Sequence, residues 1–166
     1  IVDFLASGRT DRVAAFGAMA DVVSHSTRHM AIDDLDAIAG YLKRLPPAPG
    51  KPATFPTKRD TLTDTLLDGT IRTRGALLYR EHCMICHRPD GRGIPRVFPA
   101  PAGNSALFAQ NPQSSIQTTL EGGRMPLNPD THTMAFAMPG FNHPSHPAIC
   151  EILSFFRCGC TSLAVA

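Results

Sequence analysis

Cys83, Cys86 and His87 stand together in the stretch EHCMICHRPDG, residues 81–91. Two thiols three positions apart, with an imidazole directly after the second, form the attachment pattern of a c-type haem. The thiols add across the two vinyl groups of a porphyrin, and the imidazole is left beneath the iron. A chain of this composition produces the pattern by chance only about 0.006 times. Coincidence is therefore a poor explanation. A redox dithiol of the thioredoxin kind needs a βαβ setting, which the sequence does not suggest. A zinc site needs two more well-spaced ligands, and only Cys158 and Cys160, beyond the last expected helix, offer them.

An iron held from one side by His87 needs a second axial ligand or an open position. The stretch HTMAFAMPGF, residues 132–141, offers Met134 and Met138, and Met125 lies earlier in GRMP. A thioether sulfur is soft and neutral; it favours ferrous iron and raises the reduction potential relative to a second imidazole. Met138 is the best choice, because Pro139-Gly140 forces an extended turn that can present the sulfur. The last helix then anchors that loop. Met125 and Met134 read better as core filling, and His132, His143 and His146 as loop histidines facing solvent. The ring nitrogen of His87 that does not face iron needs a hydrogen-bond acceptor. The carbonyl of Pro95, eight residues on, is a candidate, with an ordinary loop proline as the equal alternative.

These side chains need elements to position them. DDLDAIAGYLKRL, residues 33–45, puts Leu35, Ile38, Leu42 and Leu45 on one helical stripe, with acidic residues first and Lys43-Arg44 near the end. PPAPGKPATFP, residues 46–56, is a break no helix crosses. RTRGALLYREHC predicts a helix leading into the haem motif, its apolar surface given by Leu77, Leu78 and Tyr79. GRGIPRVFPAPAGN, residues 91–104, reads as an irregular loop. PQSSIQTTLEGG, residues 112–123, reads as a short helix ended by glycine. SHPAICEILSFFR, residues 145–157, predicts a final helix with Ser145 as N-cap and Ile149, Ile152, Leu153 and Phe156 on one side. Nothing reads as alternating strands, so the expected class is all-α: short helices and long loops around a covalent haem.

The 166 residues include 15 prolines and no tryptophan, which suits one or two small, loop-rich domains. A formal charge of +2 argues against nucleic acid as a partner. No run of about 18 apolar residues predicts a transmembrane helix. Covalent haem attachment takes place outside the bacterial cytoplasm, so an oxidising, periplasmic setting is expected. The opening IVDFLASGRT lacks a leader pattern, which suggests a mature or truncated chain.

RGALLYREHCMICHRPDGRGIPRVFPAPAGNSAL, followed by LEGGRMP and MAFAMPGF, closely resembles the third haem domain of a known family. That family comprises the three-haem cytochrome c subunits of membrane-bound alcohol, gluconate, sorbitol and fructose dehydrogenases. The resemblance implies a class I cytochrome c fold, with Cys83 and Cys86 as thioether anchors to one haem c, His87 as proximal ligand and Met138 as distal ligand. FLASGRTDRVAAFGAMADVVSHSTRHMAIDDLDAIAGYLKRLP resembles the closing half of the second haem domain, where Met19 matches a distal ligand. No Cys-x-x-Cys-His precedes it, so Met19 reads equally as a core methionine beneath the 33–45 helix. The tail CGCTSLAVA departs from the family's usual ending, and Cys150, Cys158 and Cys160 have no assigned role.

The expected organisation is a helical segment over 1–45, a Pro-rich linker over 46–68, a cytochrome c domain over 69–158 and a tail over 159–166. The expected function is electron transfer with no bond-making chemistry. By resemblance, electrons come from a dehydrogenase catalytic subunit and leave toward membrane quinone or another cytochrome. The alternatives are a stand-alone soluble carrier, or a haem enzyme or gas sensor with a labile Met138.

Overall fold

The computed structural model describes residues 1–46, 61–109, 111–127, 134–142 and 146–159. The chain opens with α1 (Val2–Ser7), α2 (Ala18–His25), a single 3₁₀ turn (Thr27–His29) and α3 (Ile32–Arg44). α4 (Thr61–Leu67), α5 (Arg74–His82) and α6 (Met84–His87) follow, then α7 (Ser105–Phe108) and α8 (Gln113–Glu121). α9 (His146–Gly159) ends the described chain. Strands β1 (Gly123–Arg124) and β2 (Ala137–Met138) pair antiparallel, with Gly123 opposite Met138 and Arg124 opposite Ala137. The all-α expectation holds, with this one small ladder added.

The core of the second part forms where α5 crosses α9. Ala76 and Tyr79 on α5 meet Ile152 and Phe156 on α9, and Leu66 of α4 completes the cluster. Burying a side chain such as Ile152 or Phe156 contributes roughly 1.5–3 kcal/mol. The ring of Tyr79 stands edge-on to Phe156 with centroids 4.7 Å apart, and its hydroxyl donates to the Arg88 carbonyl. Gly75 brings the two helices together: a Cβ there would collide with the Glu151 carbonyl oxygen. The buried face of α5 is thus Gly75, Ala76 and Tyr79, while Leu77, from the apolar run, is exposed.

Two expectations about elements change. The linker expected over 46–68 is helical from Thr61, and Leu66 is 1 % exposed in the core, so the organised region begins ahead of Gly69. Residues 47–60 lie outside the described residues, as do Ser145, His132, His143, Cys160 and most of the tail. On α3, which packs against α1, Leu35 and Ala39 are buried, but Leu42 and Leu45 are exposed, so the buried stripe stops short of the helix's last turn.

The segment 1–46 docks on the second part rather than standing clear of it. α1 ends on Gly8 in the left-handed conformation, φ 72°, and a Cβ there would lie 2.6 Å from the Pro126 ring. The Ala100 amide donates to the Arg12 carbonyl at 2.8 Å. Arg96 and Asp3 form a two-contact ion pair at 2.7 and 3.3 Å across the same seam.

Candidate functional site

α5 runs directly into α6, so the Cys-x-x-Cys-His stretch is a single helical turn. The His87 amide donates to the Cys83 carbonyl at 3.0 Å and the Cys86 amide to the same oxygen at 3.2 Å. Residues at i, i+3 and i+4 share a helix face, so both sulfurs and the imidazole issue from one side. Ile85, between them, is 88 % exposed and marks the opposite side.

That shared face opens on a cavity of about 460 Å³ lined mostly by apolar side chains. Cys83, His87 and Met138 all line it, and so do Tyr79 and Phe156 from the core. Pockets that enclose small organic cofactors span roughly 300–1,000 Å³. Cys86 is half-buried and belongs to the same helical face, although it is not among the lining side chains. Burial pushes the Cys83 thiol up to about 11, with the neighbouring Cys86 adding to the effect. Burial also holds the His87 ring below its ordinary value, opposed in part by its bond to a backbone carbonyl. A neutral imidazole at neutral pH has a lone pair to give.

That carbonyl belongs to Pro99, whose oxygen lies 2.8 Å from His87 Nδ1. The expectation of Pro95 is therefore corrected. Ile94 and Phe98 exchange amide–carbonyl bonds of 2.9 and 2.8 Å, and Arg96 adopts φ 61° between them. This tight turn carries Pro95 out to its exposed tip and returns Pro99 toward the imidazole. With Nδ1 committed to Pro99, Nε2 is the nitrogen left for a metal.

Met138 reaches the cavity from β2. β1 follows directly from α8, whose C-cap, Gly122, has φ 74°. A Cβ on Gly122 would strike the Met138 carbonyl, and one on Gly140 would approach the Leu120 oxygen at 2.7 Å. Glycine at both places lets the methionine-bearing chain cross tightly over the end of α8. Met125 is 4 % exposed and Met134 is 73 % exposed, and neither lines the cavity.

A further wall comes from the first segment, of which the sequence had marked only Met19. Phe4, Val13, Ala14, Ala15, Phe16 and Met19 line the same cavity as His87 and Met138. Met19 thus faces this cavity instead of simply filling space beneath α3. Pro99 was missed because three prolines, Pro95, Pro99 and Pro101, offer equivalent carbonyls in one loop. The wall from residues 4–19 carries no local signal, since its partners lie sixty or more positions away. Among the described residues no group of three or more His, Cys, Asp or Glu could hold a metal ion. No helix among them is long and apolar enough to cross a membrane.

A family of known proteins matches the sequence of this region. Residues 73–153, just under half of the chain, fit the family model described as Cytochrome c, a family whose cofactor is covalently bound haem c. The donor set meets that cofactor's needs: two thiols on one helical face, a neutral imidazole with one nitrogen already fixed, and a thioether reaching the same apolar space. The chain is also 43 % identical over 162 residues to the cytochrome c subunit of an alcohol dehydrogenase (quinone) from Gluconobacter oxydans, covering 96 % of this chain and 33 % of that protein. It is 35 % identical over 156 residues to the gluconate 2-dehydrogenase cytochrome c subunit of Pantoea cypripedii, covering 93 % of this chain and 35 % of that protein. Against the fructose dehydrogenase cytochrome subunit of Gluconobacter japonicus it is 27 % identical over 158 residues, covering 87 % and 32 %. The chain spans about a third of the length of the curated relatives it matches.

Proposed function

We propose that this domain is an electron carrier holding one haem c by thioether bonds from Cys83 and Cys86, with His87 Nε2 and Met138 Sδ as axial ligands. The observation that carries the reading is the convergence of Cys83, His87 and Met138 on one apolar cavity, with His87 Nδ1 already bonded to Pro99. The haem supplies a one-electron ferric–ferrous couple. The protein's own residues set the conditions for it. Pro99 orients the imidazole and strengthens it as a donor. Met138 favours the reduced form, and the apolar walls from Phe4, Phe16, Tyr79 and Phe156 keep water away. Held by both His87 and Met138, the iron would offer small molecules no open position.

By likeness to the named dehydrogenase subunits, the electrons come from a catalytic subunit oxidising an alcohol, sugar or sugar acid. They pass to quinone or a further cytochrome at the periplasmic face of the membrane. Residues 1–45 correspond to the C-terminal half of another haem domain. The supporting pattern is an order of elements that occurs twice. In one copy α1 leads to Gly8-Arg9, an Arg9–Ala14 bridge, Met19 and α3. In the other α8 leads to Gly123-Arg124, a ladder to Ala137, Met138 and α9.

Intact mass and an optical spectrum of the purified chain test the reading together. One added haem, a low-spin spectrum and a methionine-to-ferric-iron charge-transfer band are expected. A colourless chain with free thiols at Cys83 and Cys86 would overturn it.

A further inference from the structure

Arg9 is a charged side chain only 2 % exposed, and no carboxylate meets it among the described residues. Its guanidinium donates instead to three backbone carbonyls of the cytochrome c domain. Nη2 reaches the Pro126 oxygen at 3.0 Å; Nη1 reaches the Met134 oxygen at 3.0 Å and the Arg96 oxygen at 3.4 Å. Nε is buried with no hydrogen-bond partner among the described residues. Burial and the nearby Arg96 both work against the charge. An arginine buried at this cost holds something in place, because removing it strands the carbonyls it satisfies.

The positions of those carbonyls say what is held. Pro126 follows β1 by two residues, and Met134 precedes Met138 by four, so both belong to the chain that delivers the thioether. Arg96 sits in the Ile94–Phe98 turn that delivers the Pro99 oxygen to His87. Residues beside Arg9 in sequence, Phe4 and Val13 to Phe16, form the cavity wall itself. One guanidinium therefore ties the wall to the supports of both axial side chains.

We infer that Arg9 is a positioning residue for the haem site, locking segment 4–19 onto the loops that present Met138 and orient His87. The inference rests on the assignment of His87 and Met138 as axial ligands. Its substance is that a side chain outside the cytochrome c domain proper, and outside the cavity lining, sets how firmly Met138 stays on the iron.

The test uses the haem-loaded chain with Arg9→Ala, Arg9→Lys and, as a control, Asp3→Asn, which weakens the Arg96 pair across the same seam. Cyanide is added to the ferric protein, and loss of the methionine charge-transfer band is timed. Arg9→Ala should lose the band at least about tenfold faster than the parent, the change that about 1.4 kcal/mol produces. Its reduction potential should also fall. Arg9→Lys keeps the charge but reaches fewer carbonyls, so it should lie between the two. Asp3→Asn should match the parent. Parental rates and potential in Arg9→Ala would overturn the inference, as would an Asp3→Asn effect equal to that of Arg9→Lys. If Arg9→Ala does not fold, a parental rate in Arg9→Lys overturns it. A parent protein without the band would instead overturn the ligand assignment, so the two failures are distinguishable.

Discussion

The Nδ1 atom of His87 lies 2.8 Å from the carbonyl oxygen of Pro99, twelve residues further along the chain. Side-chain replacement at Pro99 leaves the oxygen in place, so the informative variant alters the turn. Gly93 has φ 62°, and a Cβ there would press on the Pro99 carbonyl carbon at 2.9 Å. Gly93→Ala should cost roughly 1–3 kcal/mol of stability. With the acceptor displaced, His87 becomes a weaker donor to iron, and the potential should rise. Pro95→Ala should change neither quantity. Redox titration and thermal unfolding of the two variants check this; an unmoved potential in Gly93→Ala would detach Pro99 from the iron.

Acid should reach His87 late. Burial lowers its protonation value in the folded state, and a group so depressed gives stability that is present above its unfolded value, about 6.5, and lost as pH falls through the folded one. Iron held at Nε2, as proposed, would act in the same direction. A pH titration of the low-spin spectrum should therefore stay flat through about pH 6.5 and change only in more acid solution. A transition centred at or above that value would contradict the buried, neutral ring.

Met138→Ala should open one axial position, lower the potential and admit carbon monoxide to the ferrous form. Met134→Ala should do none of these, because that side chain is exposed and only its backbone oxygen is engaged. Carbon monoxide binding followed by absorbance separates the two. Equal behaviour of both variants would dismiss Met138.

Two glycines offer a stability test that separates scaffold from site. Gly75→Ala forces a methyl against the Glu151 carbonyl where α5 crosses α9, and overpacking of this kind costs roughly 1–3 kcal/mol. Gly122→Ala meets the Met138 carbonyl from a left-handed residue, φ 74°. Gly75→Ala should lower Tm while leaving the methionine band intact. Gly122→Ala should weaken the band in protein that is still folded, as judged by far-ultraviolet circular dichroism.

Much of this arrangement was legible in the residues. The helices α3, α5, α8 and α9 follow from apolar spacing and end signals, and Gly122 closes α8 as its type suggests. The spacing of Cys83, Cys86 and His87 and the Pro139-Gly140 behind Met138 marked these four residues, and Cys83, His87 and Met138 do line one cavity. What was not legible depends on chain reversal and distance. The β1–β2 ladder is two residues long on each side, too short for any period to register. α4 has only seven residues and follows a proline-rich stretch. Pro99 displaces Pro95 because a five-residue turn inverts which carbonyl faces inward. Arg9 looks like an ordinary surface charge until residues 96, 126 and 134 arrive around it.

The arginine's acceptors lie 87, 117 and 125 positions from it, whereas the turn bearing both sulfurs is held by bonds spanning three or four. Closing long loops costs entropy that local turns do not, so nearby contacts form first and remote ones last. By that ordering the dithiol turn would take shape before the wall from Phe4 and Phe16 closes over it. Stitching of the proposed cofactor to Cys83 and Cys86 would need that sequence of events.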